Sequence, residues 1–254
     1  MSRRIGVLGG MGPAATIDFY TKLVEQTPAG RDQEHLPVVI WADPGVPDRS
    51  DNLLGTGEDP TPWLQRGIDA LVDAGCDLLA VPCNTAHAFV PPLARAAGLE
   101  LVSIVEVAAD HLAATGVRAA GLLATTGTVH SRLYADALAR RGIATVEPSP
   151  VDQERVMDAI VAVKAGRSGP AQSRALVEVS SALAARRAQR VVAACTEIVL
   201  ALGGAAVGLP VVDPARLLAR RVVDLALSGA TTSGPASRSG CAPPRVVARS
   251  SRSW

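Results

Sequence analysis

The sequence predicts an α/β protein of two similar parallel-sheet lobes, related by pseudo-twofold symmetry, with the active site in the cleft between them. Three observations predict it. Short apolar runs alternate with helical patterns along most of the 254 residues, as parallel strands joined by crossover helices do. Those runs are almost continuously hydrophobic, which suits strands covered on both faces. The order of elements also repeats halfway along the chain.

Taken in order, the strand candidates are Arg4–Leu8, Pro37–Trp41, Asp77–Val81, Glu100–Ser103, Ala119–Leu123, Thr145–Glu147, Arg190–Ala194 and a short piece at Pro210–Val212. Two helix starts carry a capping side chain before a proline at the first helical position: Thr61 before Pro62 and Asp213 before Pro214. A helix from Asp152 to Lys164 puts Val156, Ile160 and Val163 on one stripe and ends on a lysine. Residues 42–60 are rich in Pro, Gly and Asp and show no apolar period, so they read as a long ordered loop. From Ser228 onward the composition turns to Ser, Gly, Ala, Pro and Arg and cannot repay the entropy of ordering. The expected organisation is an N-terminal lobe over 1–112 with a returning helix at 213–227, a C-terminal lobe over 113–212, and a disordered tail at 228–254 that includes Cys241 and Trp254.

Composition narrows the function. A hydrophobic share of 48% supplies a substantial core, and a formal net charge of +1 gives no electrostatic footprint for nucleic acid or an anionic membrane. Arg238, Arg245, Arg249 and Arg252 account for all the charge after Asp224, so the chain before them carries −3. The opening apolar run is too short and glycine-rich for a signal segment, and no later stretch reaches the roughly 18 apolar residues of a membrane span. A cytoplasmic protein with a small-molecule partner is expected. Its 4 cysteines are too few for a disulfide scaffold and lack the spacing of a zinc site.

The internal echo is the most informative feature. Ile5-Gly-Val-Leu-Gly-Gly-Met-Gly12 in one half answers to Ala120-Gly-Leu-Leu-Ala-Thr-Thr-Gly127 in the other, and Leu78-Leu-Ala-Val-Pro-Cys83-Asn-Thr answers to Arg190-Val-Val-Ala-Ala-Cys195-Thr-Glu. The separation is 77 residues from Gly6 to Cys83 and 74 from Gly121 to Cys195. Because ligands bind at the carboxyl ends of parallel strands, a twofold relation would bring both cysteines to one cleft. A single buried cysteine is commonly a small packing residue, as Cys76 is expected to be, but a matched pair at strand ends is not easily explained that way. Asn84 and Thr85, and Thr196 and Glu197, follow the two cysteines where main-chain N–H groups can stabilise a thiolate or carboxylate.

Inverting an α-carbon requires a base on one face and an acid on the other, and two opposed thiols can serve as both. The weakly acidic Cα–H also needs fixed positive charge to stabilise the carbanion that forms. Arg49, in Pro47-Asp-Arg-Ser50, and Lys164 are the candidates, although either alone would more often be a solvated surface charge.

The motifs Gly9-Gly-Met-Gly-Pro-Ala-Ala-Thr16, Pro47-Asp-Arg-Ser50, Pro82-Cys-Asn-Thr-Ala-His87 and Ala194-Cys-Thr-Glu-Ile198 strongly resemble those of the aspartate/glutamate racemase family, nearest its aspartate racemase branch. The likeness runs from about Arg4 to Leu227. It implies racemisation of a small dicarboxylic amino acid, aspartate ahead of glutamate, by a homodimer that uses neither pyridoxal phosphate nor metal. Cys83 and Cys195 match the proton-transfer pair. Met11 and Gly12, Arg49, Asn84 and Thr85, Thr126, Gly127 and Thr128, Lys164, and Thr196 and Glu197 would line the substrate site. Some relatives keep only one cysteine and act as other isomerases or decarboxylases on small carboxylates; such an enzyme using the same cysteines is the alternative reading, but the presence of both favours a racemase.

Three rival readings fit less well. Gly10-Met-Gly12-Pro-Ala-Ala15 can be forced onto a dinucleotide fingerprint with Asp32 as the ribose acid, but Pro13 removes an N–H where the pyrophosphate would sit. A pyridoxal-phosphate enzyme would have only Lys22, placed on a surface-type amphipathic helix, or Lys164 for its Schiff base. A non-catalytic sensor would have no use for paired thiols. His87, four residues after Cys83, could tune its environment, but a plain helix-packing or surface role is expected.

Overall fold

A computed structural model describes residues 2–228. The first half runs β1 (Ile5–Gly9), α1 (Pro13–Gln26), β2 (Val38–Ala42), α2 (Arg49–Leu53), α3 (Thr61–Asp73), β3 (Leu78–Ala80), α4 (Val90–Ala96), β4 (Glu100–Val102) and α5 (Ile104–Ala114). The second runs β5 (Ala119–Ala124), α6 (Thr126–His130), α7 (Leu133–Ala139), β6 (Ala144–Val146), α8 (Pro150–Lys164), α9 (Pro170–Ala185), β7 (Arg190–Ala194), α10 (Thr196–Leu202), β8 (Val211–Val212) and α11 (Pro214–Ser228).

The strands form two all-parallel sheets of four, ordered β2-β1-β3-β4 and β6-β5-β7-β8. The second order is the first with every strand advanced by four, so the repeat seen in the sequence is a repeat of topology. In each sheet the first and third strands in sequence are central, and their carboxyl ends lead into the turn motif and the cysteine. All eight expected strands are present, with ends shifted by a residue or two. β3 is shorter than expected because Pro82 has no N–H to continue a ladder.

The sheets do not pack as independent units. One continuous core joins Ile5, Val7 and Phe19 of the first half to Leu122, Tyr134 and Val192 of the second, through Ile104, Leu112, Leu218 and Val222 of α5 and α11. α11 carries Ala215, Leu218, Ala219, Val222, Val223 and Ala226 on one buried face, and returns from the chain's end to pack on α1 and α5. Each sheet's other face has a separate core, beneath α3 and α4 in the first and beneath α8, α9 and α10 in the second.

Several expectations need correction. The segment 42–60 is not all loop, because Asp48 caps a short helix, its Oδ1 accepting from the N–H groups of Ser50 at 2.7 Å and Asp51 at 3.3 Å. Thr61 does not cap α3: it is already helical, and Asp59 accepts its N–H at 2.9 Å. Asp213 does cap α11, accepting from Ala215 and Arg216. The helix ending at Lys164 starts at Pro150, capped by Ser149. The tail expected from 228 lies outside the described residues apart from Ser228, which ends α11; Cys241 and Trp254 lie outside them too.

Lys22 is not on a surface face. It is 4% exposed and ion-paired with Asp18 and, at 2.8 Å, with Asp213. One ammonium thus ties α1 to the start of α11, joining the first turn motif's helix to the last helix of the fold. Removing one partner of a buried charge cluster leaves the others uncompensated. Lys22→Ala is therefore expected to lower the unfolding free energy by about 3 kcal/mol. Urea denaturation of the two proteins checks it, and a loss below about 1 kcal/mol would mean the cluster behaves as a solvated surface pair.

Candidate active site

The loops after β1, β2, β3, β5 and β7, with the end of α8, enclose two adjoining chambers. The outer one, about 430 Å3, is lined by Gly10, Met11, Gly12, Pro13 and Ala14, by Pro44, Val46, Asp48 and Arg49, by Val163, Lys164 and Gly166, and by Glu197. The inner one, about 10 Å3, is lined by Met11, Asp48, Arg49, Ser50, Cys83, Asn84, Thr85, Thr125, Lys164, Cys195, Thr196 and Glu197. Both cysteines face this inner space, one from each half of the chain.

The turn after β1 is shaped by Thr16, whose hydroxyl accepts from Gly10 N–H at 2.9 Å and donates to the Gly12 carbonyl at 3.0 Å. Gly10 has φ +89°, and a Cβ there would come within 2.5 Å of the Asp43 main chain, so only glycine lets this turn pass so close to the loop after β2. Met11 and Gly12 are thereby presented to both halves of the cleft, and a Cβ on Gly12 would lie 3.2 Å from Glu197 Oε1.

Arg49 is 7% exposed, and its Nη1 donates to the carbonyls of Val46 and Pro47, at 3.0 and 2.8 Å. Its Nε is buried without a partner, as is Asn84 Nδ2. Asn84 is oriented from the opposite half: the fully buried Tyr134 hydroxyl donates to its Oδ1 at 2.6 Å, turning the amide's NH2 away from that bond. Two buried donors thus border the inner chamber, the kind of group a carboxylate satisfies.

The two cysteines have different surroundings. Cys195 begins α10, and its Sγ–H donates to Glu197 Oε2 at 3.0 Å, while the Thr196 hydroxyl donates to the same oxygen at 3.1 Å. Burial, then the Glu197 charge and its hydrogen bond, push the Cys195 thiol well above the ordinary thiol value, against the opposing pull of Lys164. Cys195 is held as a thiol. Cys83 follows Pro82 and precedes a 3-10 turn over Thr85–Ala88. Thr85, at the position corresponding to Glu197, joins Thr125 and Thr128 in a triangle of hydroxyls with sides of 2.9 to 3.0 Å.

Lys164 lies 3.5 Å from Asp48. Burial lowers the Lys164 pKa, but Asp48, Cys195 and Glu197 outweigh it and leave the ammonium above its ordinary value. Burial likewise raises Asp48, yet Lys164, Arg49 and the two capping N–H groups hold it below the usual carboxylate range. Both groups are charged near neutral pH.

Ten of the expected lining residues border one or both chambers: Met11, Gly12, Arg49, Cys83, Asn84, Thr85, Lys164, Cys195, Thr196 and Glu197. Thr126, Gly127 and Thr128 do not; Thr125 takes their place. The reason is local. Thr125 caps α6 by accepting from Thr128 N–H, which buries Thr128 beneath the wall and leaves Thr126 within reach of Gln153. Gly127 packs so closely on Ser50 that a Cβ would fall 2.5 Å from its Cα. The sequence pattern does not single out Asp48, Ser50 or Tyr134, although Asp48 and Ser50 both lie inside the Pro47-Asp-Arg-Ser50 motif. Among the described residues, no three His, Cys, Asp or Glu side chains are grouped to hold a metal ion.

The sequence pattern of the Asp/Glu/hydantoin racemase family matches residues 8–222. The chain belongs to this family. Its fold agrees: it superposes on an aspartate racemase from Picrophilus torridus with a TM-score of 0.74 and 30% identity, over 88% of this chain and 94% of that one. It is 25% identical over 228 residues to the broad specificity amino-acid racemase RacX of Bacillus subtilis, covering 88% of this chain and 98% of that protein. A glutamate racemase of Francisella tularensis, solved with D-glutamate, shares the fold at 15% identity with a TM-score of 0.67, over 92% of this chain and 86% of that one. Membership makes this chain an amino-acid racemase. No helix among the described residues is long and apolar enough to cross a membrane.

In this member of the racemase family, His87 is buried rather than at the surface. Its Nδ1–H donates to the Cys83 carbonyl at 3.0 Å, and its Nε2 accepts from Ile104 N–H at 3.3 Å, which pins the cysteine's main chain to the start of α5. Burial, only partly offset by the Cys83 carbonyl, lowers its pKa from 6.5 to about 4. Between these values the unfolded chain binds a proton that the folded one refuses, so stability falls as pH drops through this window. Urea denaturation from pH 7 to pH 4 is expected to show a loss of about 3 kcal/mol from this group, absent in His87→Gln. A His87→Gln protein with the same pH slope would rule the assignment out.

Proposed function

We propose that this racemase inverts Cα of an acidic amino acid, aspartate foremost and glutamate second, with Cys83 and Cys195 as opposed base and acid and without a cofactor. The observation that carries the reading is the shared inner chamber, bordered by one cysteine from each half. Supporting it, Cys195 is held as a thiol by burial and Glu197, which equips it to donate a proton. In the matching half-reaction the Cys83 thiolate removes the Cα proton; the electron pair left on Cα spreads into the α-carboxylate, and the Cys195 thiol returns a proton to the opposite face. Turnover leaves Cys83 as thiol and Cys195 as thiolate, the arrangement required by the opposite enantiomer.

Arg49 and Asn84 supply the donors for the α-carboxylate as its charge grows, and Lys164 adds a second cation for the side-chain carboxylate. The aspartate racemase name of the Picrophilus torridus structure supports that substrate. The inner chamber has room for about one water molecule. Bringing Cα between the thiols therefore requires the chamber walls to give way and close again above the continuous core that 1–112 with 213–227 shares with 113–212. A homodimer is part of the same reading.

Incubating L-aspartate with the enzyme in D2O is expected to yield D-aspartate carrying deuterium at Cα. Inversion without solvent deuterium would overturn the two-thiol route. Cys83→Ala and Cys195→Ala are each expected to lower kcat by about a hundredfold or more while keeping the wild-type circular dichroism spectrum. Wild-type kcat in either variant would remove that cysteine from the chemistry.

A further inference from the structure

Tyr134 is the largest fully buried side chain among the described residues, and it sits in the first turn of α7, inside the core that both halves share. A phenylalanine would pack there as well, so packing accounts for the ring and not for the hydroxyl. A buried hydroxyl without a partner is costly, and among the described residues the phenol makes a single hydrogen bond, to Asn84 Oδ1 at 2.6 Å. That bond crosses from the second half of the chain to a residue that follows Cys83 and borders the inner chamber.

The bond has a direction. Burial first, then Asp213 and Cys195, push the Tyr134 phenol well above its ordinary value, so at neutral pH it keeps its proton. A phenol has one proton to give, and an amide has one oxygen to receive it. Were the Asn84 amide turned over, Nδ2 would donate to the phenol oxygen and leave the O–H without an acceptor. With Oδ1 held, Nδ2 is turned away from Tyr134, buried and unpartnered, at the chamber that Arg49 also borders with an unpartnered Nε. Tyr134 itself lines neither chamber.

We infer that Tyr134 is a positioning residue of the racemase site: its bond to Oδ1 holds the Asn84 amide with Nδ2 toward the substrate, so that a donor is already in place when charge builds on the α-carboxylate. The inference rests on the reading of Asn84 as a ligand of the α-carboxylate. A donor fixed before the reaction needs no reorganisation as Cα loses its proton, and an amide whose oxygen accepts a hydrogen bond is the stronger donor at its nitrogen. The benefit falls on the step in which the carboxylate charge grows, more than on substrate binding.

The test is kcat and KM for L-aspartate, read by chiral chromatography, in the wild type, Tyr134→Phe, Asn84→Ala and the double variant. Tyr134→Phe is expected to lower kcat roughly tenfold and to change KM by less than about twofold, the signature of a contact that tightens in the transition state. In the Asn84→Ala background the same substitution is expected to change kcat by less than about twofold, because the amide it acts through is gone. Wild-type kcat in Tyr134→Phe, or an equal loss in both backgrounds, as a loosened core would give, overturns the role of Tyr134. Should Tyr134→Phe lose the wild-type circular dichroism spectrum, or Asn84→Ala lose measurable turnover, the unmutated enzyme decides. Tyr20 is the only other tyrosine, so labelling tyrosine with 13C at Cζ gives two signals, told apart by Tyr20→Phe. Saturating DL-aspartate is expected to shift the Tyr134 signal, and an unmoved signal overturns the coupling. Asn84→Ala with wild-type kcat would instead overturn the carboxylate reading of Asn84, so the two failures are distinguishable.

Discussion

Everything in this molecule follows from where the parallel strands end. A parallel sheet sends all its carboxyl ends to one edge, and each half of the chain places its turn motif and its cysteine on the two central strands of such an edge. Two such edges facing each other hold the ten lining residues in one frame, because the halves are fused by a single core through α5, α7 and α11 rather than merely abutted. Polar contacts extend that fusion to the cleft. Tyr134 in one half fixes Asn84 in the other, Thr85 closes a hydroxyl triangle with Thr125 and Thr128, and Gly127 sits against Ser50 with no space for a side chain. The preorganisation that the proposed carbanion chemistry demands would thus be supplied across the interface between halves, not within either one.

Lys22 shows how far the fusion reaches behind the cleft. Its ammonium connects α1, which starts at the Met11–Gly12 turn, to Asp213, which ends β8 and caps α11. The last helix therefore anchors the first turn of the site. A lysine at that position in sequence looks like an ordinary helix-surface cation, since nothing in an amphipathic pattern announces a carboxylate from a segment about 190 residues away.

Legibility in the sequence followed the range of the interaction responsible. The central strands β1, β3, β5 and β7 could be read because a strand buried on both faces must be apolar along its length, a local rule. The edge strands β2, β4, β6 and β8 are partly exposed, contrary to the expectation of cover on both faces, and were legible only as short apolar runs between helical patterns. The matched cysteines could be read because duplication repeats spacing. α2 could not, since Arg49–Leu53 is almost entirely polar and is nucleated by the Asp48 cap rather than by an apolar stripe. The register of the wall after β5 was misjudged for a related reason. Which threonine of 125, 126 and 128 faces the cleft depends on the cap that Thr125 makes, and on contacts with Thr85 forty residues away. Asp48 and Tyr134 act only through partners that the fold brings to them.

The duplication also poses a chemical difficulty. Two equivalent thiols in equivalent frames would have the same proton affinity, whereas the proposed two-thiol inversion would need them in opposite states at the start of each turnover. The chain breaks its own symmetry two residues after each cysteine. The position that carries Glu197 after Cys195 carries Thr85 after Cys83, so a carboxylate accepts from one thiol, while the corresponding residue of the other half is a neutral hydroxyl engaged with two others. Even the backbone differs, with Cys195 opening a helix directly and Cys83 set apart from its strand by Pro82. Such an imbalance need only be large enough to assign the protons, since a wide gap in affinity would make one direction of turnover slow. In the proposed two-thiol route, the carboxylate that raises one thiol would make Cys195 the acid at the start, and the Lys164 ammonium, which acts in the opposite sense, would ease its later turn as the base.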